Sequence, residues 1–347
     1  MSINQADLTA SRPVSASARN SGEHVLGTGP LELLVSRVED LTPRIRKFEL
    51  KSPRGAVLPL WTPGAHIEVP VALATGLETR CYSLMGDCEL RDVYEIAVLR
   101  HEEGRGGSRF VHGGYREGMR LRCAYPSNHF ELIPNRAPCV LIAGGVGITP
   151  IRAMAIALER HGTAFVLHYA ARSPRETAFM QDLGDRFGTK VRFWHSEGDC
   201  PNRLDVASIL RAVPITANVY VCGPPGLIQD VSDTAVGLGM PRSNIRSEMF
   251  APAGPAARDH AFEVLLARSH TRVQISADET ILDGVLAAGV VAEFGCRAGQ
   301  CGACAVTVLE GEVDHRDTTL SDDERIVDRR ACICVSRAKG TRLVLDL

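Results

Sequence analysis

The stretch Cys296-Arg-Ala-Gly-Gln-Cys301-Gly-Ala-Cys304 places three cysteines at a C-x4-C-x2-C spacing, and Cys334 follows further along the chain. This spacing, completed by a fourth cysteine, is typical of the plant-type [2Fe–2S] cluster. The glycines within the stretch allow its backbone to wrap tightly around a metal centre. A zinc site or a chance group of buried thiols is the alternative, but zinc sites tend to use paired C-x2-C elements. Only one such pair occurs here, so the stretch predicts an iron–sulfur cluster.

Two cysteines, Cys332 and Cys334, are candidates for the fourth ligand. They lie two residues apart in a predicted strand, where side chains alternate between faces, so both are expected on the same side. The residues alone leave the choice between them open.

The remaining composition excludes several classes of protein. The 11 cysteines are odd in number and unevenly spread, unlike a disulfide framework. Residues 1–28 lack the apolar core of a signal peptide, and no run of about 18 apolar residues occurs. The formal net charge is −2 without a long basic block, which argues against nucleic acid. We expect a cytoplasmic protein with no membrane span, and a disordered tail over 1–28 (alternatively a short packed strand or helix).

The chain before the cysteine stretch has two periodicities. Residues 29–136 contain short strand-like runs separated by Pro and Gly, which predict an antiparallel β-barrel. Residues 137–254 alternate strands with helices, which predicts a parallel α/β sheet covered on both faces. Ala251–His260 is typical of a linker, and residues 255–347 form a small α+β domain. The fold class is therefore multidomain, with predicted strands at Leu31–Val38, Ile45–Leu50, His66–Val71, Tyr94–Leu99 and Met119–Cys123, and predicted helices at Ile151–Arg160, Glu176–Phe187, Leu204–Val213 and Leu227–Leu238.

Two glycine-rich turns follow apolar strands of the second region. One is Gly144-Gly145-Val146-Gly147-Ile148-Thr149-Pro150, where Thr149 suits a helix N-cap and Pro150 the first helical position. The other is Cys222-Gly223-Pro224. Turns at the carboxyl end of a parallel sheet bring backbone amides and a helix N-terminus to a pyrophosphate. The first turn lacks the G-x-G-x-x-G spacing, so a plain tight turn is the alternative, but two such turns in this order favour a nucleotide site.

Two segments of the first region carry phosphate-binding chemistry. Arg80-Cys81-Tyr82-Ser83-Leu84 can bind a phosphate, stack on a ring and donate a hydrogen bond, although alone it is more typical of an edge strand with a surface arginine. Arg105-Gly106-Gly107-Ser108 offers backbone amides and a hydroxyl as a second phosphate cradle.

Together these segments resemble the ferredoxin–NADP reductase superfamily, in which R-x-Y-S holds the flavin and G-G-x-G-x-T-P and C-G-P bracket the nicotinamide nucleotide. The order of the domains, with the flavin domain first, the nucleotide domain second and the ferredoxin domain last, is similar to that of the phthalate dioxygenase reductase and vanillate demethylase reductase family, which carries FMN. The resemblance extends from Leu31 to Leu347. It includes Asp314-His-Arg-Asp317 and the ending that starts Cys334-Val-Ser-Arg-Ala-Lys.

The resemblance implies a β-grasp ferredoxin domain at the C-terminus and a role for each matched residue. Arg80 would bind the FMN phosphate beside Gly107 and Ser108, Tyr82 would pack on the flavin, and Ser83 would lie near its N5. Cys334 would complete the metal ligands Cys296, Cys301 and Cys304. The implied catalytic residues are Ser83, Thr149, Cys222, Glu248 and Phe250, and the implied cofactor-binding residues are Arg80, Cys81, Tyr82, Ser83, Arg105, Gly106, Gly107, Ser108, Gly144, Gly145, Gly147, Thr149, Arg172, Ser173, Cys222, Gly223 and Pro224.

The implied function is electron transfer from NADH through FMN and the [2Fe–2S] cluster to a terminal Rieske non-haem iron oxygenase, bound transiently by a monomeric reductase. Ser173 stands where dioxygenase reductases carry an acidic residue that favours the 2′-hydroxyl of NADH. With Arg172 and Arg175 nearby, a 2′-phosphate would also be tolerated. A stand-alone flavin reductase or diaphorase, and a redox-sensing binding module, are the alternatives.

Overall fold

The computed structural model describes residues 25–104, 106–198, 201–250, 259–295, 297, 299, 302–317 and 319–347. Predicted features at Arg105, Cys296, Cys301, most of the linker (251–258) and the tail before residue 25 lie outside the described residues.

Antiparallel strands form the first region. Its strands pair as a five-stranded sheet, β1-β7-β2-β3-β6, and a three-stranded sheet, β5-β4-β8; among the described pairs of this region only β1 and β7 run parallel. Both sheets bury alternate side chains in one core, where Phe48, Ile67 and Tyr94 are fully buried. The antiparallel prediction is confirmed, whereas closure into a barrel stays a prediction. The elements are β1 (Val25–Leu26), β2 (Leu31–Asp40), β3 (Ile45–Lys51), β4 (Ala65–Leu73), β5 (Gly76–Ser83), β6 (Tyr94–Leu99), α1 (Gly107–Gly114), β7 (Arg120–Cys123) and β8 (Ser127–Asn128).

A parallel sheet forms the second region, as predicted, in the order β11-β10-β9-β12-β13. Alternate residues of β9 enter different cores: Leu141 packs with one helix layer and Val140 with the other. Both faces of the sheet are therefore covered. The elements are β9 (Cys139–Gly144), α2 (Ile148–Arg160), β10 (Phe165–Ala171), α3 (Met180–Phe187), β11 (Val191–His195), α4 (Val206–Arg211), β12 (Asn218–Cys222), α5 (Pro225–Gly237) and β13 (Ile245–Glu248).

Helix α2 begins earlier than the sequence predicts. A 3-10 turn over Gly145–Gly147 continues directly into the helix, so Gly147 is the N-cap and Thr149 lies in the first turn. The Thr149 hydroxyl donates to the carbonyl oxygen of Val146 at 2.9 Å. The prediction of Thr149 as N-cap and Pro150 as first helical residue is wrong.

The C-terminal region is a five-stranded mixed sheet, β15-β14-β20-β16-β18, with β17 and β19 as a separate pair. Helix α6 packs on this sheet, and its N-cap Thr280 accepts from the backbone N–H of Asp283 at 3.0 Å. Cys332 ends β18 and Cys334 lies in the following turn, so the two do not share one strand as predicted. The elements are β14 (Phe262–Leu266), β15 (Thr271–Ile275), α6 (Ile281–Ala287), β16 (Ala305–Glu310), β17 (Val313–Asp314), α7 (Asp322–Ile326), β18 (Arg330–Cys332), β19 (Arg337–Ala338) and β20 (Arg342–Leu345).

Within the described ranges, none of the helices has both the length and the apolar character needed to cross a membrane.

Candidate functional site

A cavity of about 540 Å³ lies where the three regions meet. The edge strand β5, the start of α1 and the turn before α2 line one side, and the C-terminal region lines the other. The structure thus brings together residues that are far apart in the sequence. Among those expected at the site, the lining includes Arg80, Cys81, Tyr82, Ser83, Gly106, Gly107, Ser108, Thr149, Phe250 and Cys334.

One end of this cavity has the properties of a phosphate cradle. Arg80 Nη1 donates to Glu78 at 2.9 Å and to the carbonyl oxygen of Thr79 at 2.7 Å. Arg80 Nη2 is buried and has no hydrogen-bond partner among the described residues. A Cβ at Gly107 would lie 2.6 Å from Arg80 Nε, so only glycine lets the arginine lie against the start of α1. A buried cation beside a helix N-terminus fits the phosphate of FMN.

Ser83, which lines this cavity, connects strand β5 to the end of the parallel sheet. Ser83 Oγ donates to Glu248 Oε2 at 3.4 Å, and both residues are buried. Burial raises the pKa of Glu248 to about 8, opposed by the hydrogen bond from Ser83. Glu248 faces Cys222 across the β12–β13 pair, and burial raises the pKa of that thiol. Ser83, Cys222 and Glu248 therefore form a buried polar group that is mostly uncharged at neutral pH.

Glu248 also borders a second, polar cavity of about 400 Å³. This cavity is lined by His129 from the first region, Arg242 and Arg246 from the second, and Thr319 from the C-terminal region. Glu248 therefore borders this cavity and is connected to the larger one by its hydrogen bond with Ser83. No local sequence pattern predicts this cavity, because its lining comes from three regions with no shared motif.

A groove of about 800 Å³ opens at the carboxyl end of the parallel sheet. Its lining includes Gly144, Gly145, Arg172 and Pro224 from the predicted set. The two glycine-rich turns pack against each other: a Cβ at Gly147 would lie 2.2 Å from the carbonyl oxygen of Cys222, and one at Gly144 would lie 2.7 Å from Pro224 Cδ. Both positions therefore require glycine, and the strand order reverses at β9, where open α/β sheets bind ligands.

Ser173 and Gly223 do not line this groove. The Ser173 carbonyl oxygen accepts from the backbone N–H of Glu176 at 3.0 Å and from Thr177 Oγ1 at 2.9 Å, in the turn that follows β10. Glu176 lines the groove with Arg203 and Trp194, three residues that the sequence analysis missed.

Three cysteines meet in the C-terminal region. Hydrogen bonds from the thiols of Cys332 and Cys334 lower the pKa of Cys304, which favours the thiolate that iron requires. Gly299 has a φ of +71°, and a Cβ there would lie 2.6 Å from the Val335 side chain, so the loop needs glycine to close. This donor set fits an iron–sulfur cluster. Cys334 lines the 540 Å³ cavity, whereas Cys332 does not.

The residues of the C-terminal region that line the 540 Å³ cavity, other than Cys334, were not predicted from the sequence. Arg297 pairs with Asp283 at 2.9 Å and stacks on Phe294, and Arg337 donates to the carbonyl oxygens of Glu279 and Ser276. These residues reach the cavity only because the C-terminal region docks on the first, and no local pattern signals such docking.

Comparison with known proteins agrees with this arrangement. Residues 264–339 match the 2Fe-2S iron-sulfur cluster binding domain, and residues 141–233 match the oxidoreductase NAD-binding domain. Vanillate O-demethylase oxidoreductase from Acinetobacter baylyi is 37% identical, covering 91% of this chain and 99% of that protein. The carnitine monooxygenase reductase subunit of Escherichia coli is 38% identical, covering 91% and 98%.

A solved structure of phthalate dioxygenase reductase, described as modular for electron transfer from pyridine nucleotides to [2Fe–2S], superposes with a TM-score of 0.71 at 37% identity. It covers 91% of this chain, and this chain covers 98% of it. The protein is an NADH-dependent iron–sulfur oxidoreductase with the cofactors of this group, FMN and [2Fe–2S]. It belongs to the family of phthalate dioxygenase reductase and vanillate O-demethylase oxidoreductase, within the ferredoxin–NADP reductase superfamily.

Proposed function

We propose that this protein is the reductase component of a two-component oxygenase and that its partner is a terminal Rieske-type non-haem iron oxygenase, bound transiently. The observation that carries the proposal is the single cavity lined by Arg80, Tyr82 and Ser83 on one side and by Cys334 on the other. Cofactors held by these two sets of residues would lie side by side, as direct electron transfer requires. The relatives named as reductases of oxygenase systems point to the same class of partner.

In this proposal Arg80 binds the FMN phosphate with Gly106, Gly107 and Ser108. Its unpartnered buried Nη2 supports that role, because a buried guanidinium gains most from a charged acceptor. Tyr82 is partly buried, and burial raises the pKa of its hydroxyl. It therefore stays neutral and offers an apolar ring face to the flavin, next to Cys81 on the same strand.

The nucleotide is proposed to bind in the 800 Å³ groove, with its pyrophosphate against Gly144, Gly145 and Pro224. Gly223 packs against the backbone of Gly144 and is proposed to position this turn. Arg172 and Ser173 are the residues proposed to contact the adenosine ribose. NADH is the proposed preferred donor. NADPH should still bind, because no acidic side chain stands at 172 or 173 to repel a 2′-phosphate.

When bound, FMN and the cluster supply the conversion of electron pairs from NADH into single electrons. The chain's own residues supply positioning and proton transfer. Ser83 Oγ can relay a proton to Glu248 Oε2, and a carboxyl group with a pKa of about 8 both accepts and releases protons near neutral pH. Thr149 and Phe250 line the same cavity and are proposed to exclude water from the reacting atoms.

The proposed cluster ligands are Cys296, Cys301, Cys304 and Cys334. The position of Cys334 on the cavity wall favours it over Cys332, since that ligand would then face the flavin.

For the architecture of the domains, we infer a closed flavin-binding β-barrel and a β-grasp ferredoxin domain, with domain boundaries near residues 136 and 254. The hydrophobic cores support this division, since the C-terminal core is separate and the other two are built mostly from one region each, with Ala153 and Phe130 packing across the boundary near 136. A monomeric state and a cytoplasmic location are retained as expectations from the sequence.

The test compares wild type with Cys301→Ser in two assays: NADH oxidation with ferricyanide, and NADH oxidation coupled to product formation by the oxygenase encoded beside the gene. The proposal expects the variant to keep the first activity and to lose the second. If the variant also retains the second activity, the cluster is off the path. If no oxygenase is supported even by wild type, a stand-alone diaphorase is the better description.

A further inference from the structure

Polar side chains line the face of the β4–β5 pair opposite the one that carries Ile67 and Val69; His66 is buried there, at 7% exposed, and Glu68 and Cys81 are half-buried. Glu68 is directly opposite Cys81 in this antiparallel pair, and His66 lies two residues before Glu68 on the same face. Their neighbours Ile67 and Val69 point the other way and are fully buried. The fold therefore fixes an imidazole, a carboxylate and a thiol side by side.

These three side chains approach the geometry of a metal site. One ligand atom from each lies within 4.8 Å of the other two. In a tetrahedral zinc site with bonds of about 2.0–2.3 Å, the ligand atoms lie roughly 3.5 Å apart. Rotations of the three side chains, without any movement of the strands, would bring the ligand atoms most of the way from their present separations of up to 4.8 Å to the roughly 3.5 Å of a zinc site.

Neighbouring hydroxyls hold two of the three groups. Ser127 Oγ lies 3.0 Å from His66 Nε2, and Thr79 Oγ1 donates to Glu68 Oε2 at 3.2 Å. When Nε2 donates to the serine, Nδ1 carries the lone pair that a metal needs. Metal-bound histidines and carboxylates usually have such hydrogen-bond partners, which orient them and strengthen their binding.

We propose that His66, Glu68 and Cys81 form a binding site for a divalent transition metal, with Zn²⁺ as the best-fitting ion. A mixed nitrogen, oxygen and sulfur set suits zinc, whereas Mg²⁺ and Ca²⁺ take oxygen ligands. Three protein ligands leave the fourth position to water. None of these three residues is among the proposed ligands of the iron–sulfur cluster. The site borders the flavin cavity, because Cys81 lies on β5 between Arg80 and Tyr82, and all three line that cavity. Bound metal would therefore clamp the strand that carries the flavin-binding residues.

The test uses the full chain loaded with FMN and its cluster. The protein is dialysed against low-micromolar ZnCl₂, and zinc and iron are measured in the same samples, so that unchanged iron shows an intact cluster. We expect one zinc per chain in wild type, and a roughly 100-fold weaker affinity in Glu68→Gln and in Cys81→Ser. Cys88→Ser, which removes a half-buried thiol elsewhere in the same region, should bind zinc like wild type. Equal zinc binding by all four proteins, or none by wild type, overturns the proposal.

X-ray absorption at the zinc edge of the wild-type protein provides a test that does not depend on how a variant folds. The site predicts one sulfur at about 2.3 Å, with nitrogen or oxygen neighbours at about 2.0–2.1 Å. Two or more sulfur neighbours would identify the cluster cysteines as the ligands, and no sulfur would exclude Cys81. Either spectrum contradicts the assignment.

Discussion

Replacing Glu248 by glutamine removes a carboxyl group whose pKa is raised by burial from 4.5 to about 8. One pKa unit corresponds to about 1.4 kcal/mol, so the shift amounts to roughly 5 kcal/mol of preference for the protonated form in the folded protein. At pH 7 only about one folded molecule in ten would carry a charge there. Glutamine has nearly the same shape and no charge at any pH, so it isolates the effect of ionisation.

The sign of the effect follows from the raised pKa. In the unfolded chain Glu248 loses its proton near pH 4.5, whereas the folded protein keeps that proton until about pH 8. The stability that the protonated Glu248 contributes is fully present below pH 4.5. As the pH rises, the free energy of unfolding then decreases by about 1.4 kcal/mol per pH unit until about pH 8, where Glu248 also ionises in the folded protein. The Glu248→Gln variant lacks this loss. We therefore expect it to match wild type near pH 5 and to be the more stable protein at pH 9.

The assay is urea unfolding of the cofactor-loaded protein at pH 5, 7 and 9. The two tryptophans, Trp61 and Trp194, lie in the regions that contribute Ser83 and Glu248, so their fluorescence reports the relevant unfolding. Glu310→Gln, at an exposed position on β16, is the control and should follow wild type. If Glu248→Gln and wild type lose stability in parallel from pH 5 to pH 9, the carboxyl group is not protonated in the fold.

Three further substitutions test the site. Arg80→Gln should weaken FMN binding roughly 10- to 100-fold through the lost charge-assisted hydrogen bonds, as measured by recovery of flavin fluorescence, and unchanged affinity would remove Arg80 from the phosphate site. Ser173→Asp should lower kcat/KM for NADPH roughly tenfold or more while sparing NADH, because its carboxylate repels a 2′-phosphate, and an equal loss with both donors would contradict the assignment. Cys334→Ser should abolish the electron paramagnetic resonance signal of the reduced cluster while Cys332→Ser keeps it, and the reverse result would make Cys332 the ligand.

The sequence predicted the elements whose signals are local. Apolar runs at β9 and β12 and the helices between them repeat with periods that distinguish strands from helices, so the parallel sheet was predictable. The start of α1 was not, because Gly106 and Gly107 are typical of a loop. Thr149 was misplaced because a 3-10 turn, which leaves no clear sequence signal, precedes the helix.

The features of the candidate site also fall into two groups, those with a local sequence signal and those that arise from tertiary packing. The spacing of the cysteines between 296 and 304 is a local signal and was sufficient to predict the cluster. The raised pKa of Glu248 depends on its burial where β13 meets Ser83 of the first region, and the position of Arg297 on the cavity wall depends on docking of the C-terminal region. Both arise from tertiary packing, which periodicity and motif spacing do not encode.

In the proposed function, electrons pass from NADH through FMN to the cluster within this chain. An anaerobic NADH titration of the purified protein, followed by visible absorbance and electron paramagnetic resonance, tests it most directly. We expect the flavin bands to bleach and a reduced plant-type [2Fe–2S] signal to appear as uptake approaches about three electrons per chain. Reduction of the flavin without any cluster signal would contradict this proposal.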